Sequence, residues 1–192
     1  MKIIFVLCDP VKRLISLYTH INSYPNPDGT RPLPPLNEIL TLDESTGKVK
    51  ENVHPRPAQP FLETGLYSQF IKKWLQVFPR EQMIFLSGEQ MICDPLSEVE
   101  KVTEWLGKKD AITPDQIYYD TERGYYCFSP TSRHHYCMDK KLKGRKHPDV
   151  SPAMIKALQN HYQASNDELY SLINREFGWP SYFGNGSKPS CS

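Results

Sequence analysis

The sequence predicts an α/β protein with a mainly parallel sheet flanked by helices, and three observations carry that reading. Ile3-Ile4-Phe5-Val6-Leu7 is a continuous apolar, partly β-branched run, the pattern of a strand buried on both faces of a parallel sheet. Met83-Ile84-Phe85-Leu86, inside Gln82 to Ser87, is a second such run. Each is followed by an Asp-Pro pair, Asp9-Pro10 and Asp94-Pro95. The Asp carboxylate accepts the unpaired amides of a first helical turn, and proline fits a position that needs no donor. With a further helical stretch between the two strands, the order is strand, helix, helix, strand, helix.

Taken along the chain, the first helix starts at Pro10. Val11, Leu14, Ile15 and Tyr18 share the face expected to lie on the sheet, and Arg13, Ser16 and His20 share another stripe. A cation and a hydroxyl beside a helix entrance, after a buried strand, suit an anion site; an ordinary amphipathic helix with a solvated flank fits the same residues. Residues 22 to 60 hold eight prolines, with turn signals at Asp28-Gly29 and Thr46-Gly47. That density excludes long regular elements, although Leu36 to Leu40 suits a short helix. Either a surface insertion or a cleft wall accounts for so long an excursion.

Phe61 to Phe78 reads as a long helix, with Leu62, Leu66, Phe70, Trp74 and Phe78 inward, widened by Ile71 and Leu75, and Pro79 as its stop. The helix opened by Asp94-Pro95 runs through Val99, Val102 and Leu106 to Gly107. Beyond it, Gln116 to Tyr119 and Gly124 to Phe128 are aromatic strand-like pieces on either side of a polar turn. Arg133, Lys140, Lys141, Lys143, Arg145 and Lys146 then gather against one acid, Asp139. Such a run is a solvated face or, around Lys143-Gly144-Arg145, a place where the backbone approaches an anionic ligand between two cations. Ser151-Pro152 caps another helix, and Asn166 to Phe177 forms the last, with Leu169, Leu172, Ile173 and Phe177 inward. Gly178-Trp179-Pro180 closes one domain spanning residues 1–180, and residues 181–192 read as a disordered polar tail.

Composition bounds the function. The chain has 192 residues, a formal net charge of +1 and 23% charged residues, so it lacks the global charge that draws a protein to nucleic acid. No run of eighteen apolar residues supplies a membrane span. Five cysteines allow at most two bridges; the closest pair, Cys127 and Cys137, encloses a short loop. Asn185-Gly186-Ser187 is a glycosylation sequon, which together with a disulfide points to a secretory compartment. His134-His135-x-Cys137 matches no common zinc spacing, and no metal is expected.

The motifs resemble those of the heparan sulfate glucosamine 3-O-sulfotransferases. The resemblance rests on Asp9-Pro10 with Arg13, Ser16 and Tyr18, and on Trp74-Leu75-Gln76-Val77-Phe78-Pro79. It continues in Gly88-Glu89 with Asp94-Pro95, in Gly124-Tyr125-Tyr126-Cys127 with Cys137, and in Lys143-Gly144-Arg145-Lys146-His147-Pro148. It covers roughly Ile3 to Trp179 and implies a P-loop NTPase-like sulfotransferase fold. The implied co-substrate is 3′-phosphoadenosine 5′-phosphosulfate, with Ser16, Arg13 and the segment Lys143, Gly144, Arg145, Lys146, His147 on the nucleotide. Gly65 and Leu66 match positions lining the saccharide cleft, and Cys127 with Cys137 matches the family disulfide. The resemblance further implies heparan sulfate as partner, no nucleic acid, and a place in the Golgi lumen or membrane.

Two departures from the family pattern bear on chemistry. Cys8 stands where the family has an Arg that binds the 3′-phosphate, and a thiol offers no bidentate charged contact. The family's sulfate-cradling loop, with its Lys, and the Glu that acts as base precede the first strand seen here. The chain is therefore expected to be N-terminally truncated, with no catalytic residue inside it. A heparan sulfate-binding module without turnover is the alternative of a different class.

Overall fold

In the computed structural model the described residues are 1–24, 28–29, 33–52, 60–131, 134–139 and 146–179. Among these residues, seven strands and six α-helices follow one another as β1 (Ile3–Leu7), α1 (Pro10–Ile21), α2 (Leu36–Ile39), β2 (Leu40–Asp43), β3 (Lys48–Glu51), α3 (Tyr67–Leu75), β4 (Met83–Ser87), α4 (Gly88–Cys93), α5 (Pro95–Trp105), β5 (Ile117–Asp120), β6 (Tyr125–Thr131), β7 (His134–Tyr136) and α6 (Pro152–Ile173). They gather into two compact units, each discontinuous in sequence: Met1–Cys8, Pro79–Arg145 and Phe177–Ser192 in the first, Asp9–Phe78 and Lys146–Glu176 in the second.

The first unit holds the parallel pair expected of an α/β fold. β1 and β4 run parallel with Ile3 opposite Met83 and Leu7 opposite Ser87, and Phe5 stacks on Phe85 at 5.0 Å. β1 is not buried on both faces: Ile4 is 48% and Val6 52% exposed. An unbroken apolar run carries no alternation that could have told one covered face from two. α4, which the sequence did not lead us to expect, is capped by Ser87, whose Oγ accepts from the Gln90 amide at 3.2 Å. α5 is capped by Asp94 as expected. Its buried position is nevertheless Glu98, while Val99 and Val102 are only half-buried and Leu106 lies exposed beyond the helix end. The Glu98 carboxylate accepts from the Ser87 amide at 2.9 Å and pairs with Lys101, so it ties α5 to the end of β4. An antiparallel sheet of β5, β6 and β7 completes the unit; β7 is the strand not expected.

The second unit is mainly helical. α1 begins at Pro10 and buries Val11, Leu14, Ile15 and Tyr18 as the spacing predicts. Between the prolines lies α2, followed by a hairpin of β2 and β3 that was not foreseen; its turn is closed by the Asp43 carboxylate, which accepts from the Ser45 and Thr46 amides. The long helix expected over Phe61 to Phe78 is broken. A 3-10 turn, Leu62–Gly65, precedes α3, and Leu66 between them has φ −82° and ψ 65°, outside helical geometry. The inward face moves with it: Ser68 and Ile71 are buried, whereas Phe70 is 37% and Trp74 41% exposed. Ser68 bonds Ser165 at 3.0 Å, so a hydroxyl pair occupies the contact that apolar counting gave to the aromatics. The two helices expected after Ser151 are one, since α6 runs unbroken for 22 residues, capped by Ser151 and ended at Asn174 in the left-handed conformation. Leu158, Tyr162, Leu169 and Ile173 face the core on almost every turn of it.

Candidate functional site

The entrance of α1 is built by Asp9. Its carboxylate is 2% exposed and accepts from the Val11 amide at 2.8 Å and the Lys12 amide at 3.0 Å, which neutralises the helix end with its own first turn. Arg13 and Ser16 stand on the exposed flank of the same helix, three residues apart and hence neighbours on its surface. The stripe ends in His20, whose ring meets Tyr24 edge-on at 5.2 Å. A hydroxyl and a guanidinium on one solvent-facing flank, with the nearby carboxylate turned inward, form a donor set suited to a phosphate.

Gly65 lies beside that entrance. It is buried, and a Cβ built on it would stand 2.6 Å from Tyr162 Cε1 and 2.8 Å from Pro10 Cβ. Only glycine lets α1, the 3-10 turn and α6 come this close. Leu66, next to it, is half-buried. Glu51 at the end of β3 holds the start of the same turn, its two carboxylate oxygens accepting from the Phe61 and Leu62 amides at 2.8 and 3.0 Å. Tyr162 is fully buried, and its hydroxyl has no hydrogen-bond partner among the described residues. Burial, with the nearby Tyr67, Glu51 and Asp9, raises its pKa far above the usual phenol range.

Lys146 and His147 lead into α6 in the same unit; partial burial pulls the His147 imidazole below its ordinary pKa. A cleft of about 550 Å³ opens beside them, between Tyr18, the Leu33 to Leu40 segment, and Pro148 to Leu158. Lys143, Gly144, Arg145 and Asn185 lie outside the described residues.

In the other unit, the C-terminal ends of the parallel strands bring Cys8 and Gly88 together so closely that a Cβ on Gly88 would stand 2.1 Å from Cys8 Sγ. Glu89 is 4% exposed and accepts from Ser87 Oγ at 3.4 Å; Glu63 is exposed. Cys127 and Cys137 are joined by a disulfide with Cα atoms 4.8 Å apart, which takes Cys137 out of any metal site with the neighbouring histidines. The Tyr125 hydroxyl donates to the Met138 carbonyl just beyond the bridge.

Arg13, Ser16, Gly65, Leu66, Lys146 and His147 thus share one unit. Sequence patterning missed Glu51, Glu98 and Tyr162. Tyr162 had a signal, because Leu158, Tyr162, Asn166, Leu169 and Ile173 keep helical spacing straight through the supposed break between two helices.

Comparison with known proteins bears on the same elements. Residues 1–172 match the family model described as the sulfotransferase domain. The chain is 34% identical over 181 residues to heparan sulfate glucosamine 3-O-sulfotransferase 3B1 of Homo sapiens, covering 93% of this chain and 43% of that protein. It is equally similar to the 3A1 protein of Homo sapiens, 34% over 181 residues and 41% of its length. It is 32% identical over 180 residues to heparan sulfate glucosamine 3-O-sulfotransferase 6 of Mus musculus, 49% of its length. The chain therefore spans less than half the length of these relatives.

Proposed function

Because this chain belongs to the sulfotransferase domain family, we propose that the protein transfers a sulfuryl group from 3′-phosphoadenosine 5′-phosphosulfate to the 3-hydroxyl of glucosamine in heparan sulfate. The observation that carries the proposal is the likeness to proteins named for that reaction over 93% of the chain. The nucleotide supplies the sulfuryl group when bound. Ser16 and Arg13 would hold its 3′-phosphate, with Lys146 and His147 on the same nucleotide. Hydroxyl and guanidinium donors suit phosphate oxygens in the geometry α1 offers. The exposed flank keeps both side chains accessible, and the Asp9 carboxylate is turned inward onto two amides. Gly65 and Leu66 would line the saccharide side.

Transfer of this kind is in-line displacement, in which the protein positions groups and stabilises charge. Neither a base for the acceptor hydroxyl nor a cation for the scissile bond is assigned to these residues. Asp9, Glu51 and Glu98 each accept hydrogen bonds from backbone amides and so serve the fold. The test is an assay with radiolabelled donor and heparan sulfate, comparing the 192-residue chain with the same chain carrying a family N-terminal segment. The grafted chain should label the glucosamine 3-hydroxyl, and the ungrafted chain run beside it shows whether these 192 residues suffice. A grafted chain that labels a different acceptor, or none, would overturn the heparan sulfate reading.

A further inference from the structure

We propose that Tyr162 is a positioning residue for the saccharide side of the site, its hydroxyl engaging the Gly65–Leu66 joint only when a saccharide is seated there. The proposal rests on the functional reading above. One ring fills the junction of two elements: a Cβ on Gly65 would meet Tyr162 Cε1 at 2.6 Å, its Cζ at 2.8 Å and Pro10 Cβ at 2.8 Å. Cζ carries the hydroxyl, so that group is borne on the edge of the ring that meets Gly65.

The hydroxyl is a donor without an acceptor among the described residues. The carboxylates whose charge it feels are committed elsewhere, Asp9 to the amides of Val11 and Lys12 and Glu51 to those of Phe61 and Leu62. Phenylalanine would fill the same volume with no buried polar atom to satisfy. Its place is taken by tyrosine, which has a use for the hydroxyl only in a state where an acceptor reaches it. The joint at Leu66 directly follows Gly65, and its φ of −82° and ψ of 65° separate a 3-10 turn from α3. A small shift there turns backbone carbonyls relative to the phenol, and a saccharide resting on Leu66 is the ligand placed to cause it.

The competing occupant is a buried water. Asn166 Oδ1, one turn along the same helix, is also buried without a partner among the described residues, and water between the two would satisfy both. Tyr162→Phe in the 192-residue chain separates the cases. Its melting temperature without ligand is measured beside its Kd for a heparan sulfate oligosaccharide and for 3′-phosphoadenosine 5′-phosphate. The expected result is an unchanged or higher melting temperature, a saccharide Kd weaker by about tenfold, the equivalent of one hydrogen bond, and a nucleotide Kd within about twofold. A fall in melting temperature, or a saccharide Kd within about twofold of wild type, overturns the proposal in favour of the water. A wild-type chain that binds no saccharide contradicts the functional reading itself and takes the proposal with it, and that result is read before any variant is made.

Discussion

Glu98 is fully buried, yet it is a carboxylate, and it holds the end of β4 by accepting from the Ser87 amide. Replacing it with alanine strands that amide in the core, a cost of about 1–3 kcal/mol. Glu98→Ala should therefore melt well below wild type, with Glu98→Gln in between because it keeps an acceptor. An alanine variant that melts with wild type would show that the bond contributes nothing. Residues of this kind are hard to read from sequence, because apolar periodicity assigns the inward face of α5 to Val99, Val102 and Leu106 and a Glu among them looks solvated. Asp9 was legible for the opposite reason: Asp-Pro before an apolar stripe has one economical explanation, a cap, and the cap is there. Ser16 and Arg13 were legible as an exposed pair, since three-residue spacing on a helix with a known inner face settles where they point.

At the scale of elements, the parallel strands β1 and β4 and the helix starts marked by proline were legible, and helix interiors less so. Both Asp-Pro signals and Ser151-Pro152 open helices. The stretch from Phe61 to Phe78 failed because a stripe repeating every four residues drifts around a helix, and the buried contact went instead to Ile71 and the Ser68–Ser165 pair. The hairpin of β2 and β3 escaped because its strands, Leu-Thr-Leu-Asp and Lys-Val-Lys-Glu, are four residues each. The Cys127–Cys137 bridge ties β6 to the residue after β7 across ten positions. Closing a loop of this size should stabilise the chain by roughly 2–3 kcal/mol. Mass spectrometry of a non-reduced digest should find the linked peptide pair, and reduction should lower the melting temperature. Free thiols at both positions in protein from a secretory host would remove the bridge and the compartment reading with it.

For the whole molecule, the family was legible because five motifs recur in order, and the comparisons place the chain within the sulfotransferase domain family. The α/β class was equally plain. The two compact units were not, since each is assembled from segments far apart in sequence, and linear patterning carries no information on such assembly. The candidate site was half legible: the exposed flank of α1 and the Gly65 position were named from motifs, while Glu51, on the turn before Gly65, became visible only through packing and Tyr162 had only the helical spacing of α6 as its signal. The central claim is that the flank of α1 binds the nucleotide despite Cys8 in place of an arginine. Calorimetric titration of 3′-phosphoadenosine 5′-phosphate into the chain tests it most directly. Saturable binding that weakens by about tenfold or more in Ser16→Ala, the loss of a hydrogen bond to a charged group, and further in a double variant with Arg13→Ala, is the predicted result. Binding of equal strength in wild type and both variants, or no binding by wild type, would contradict it.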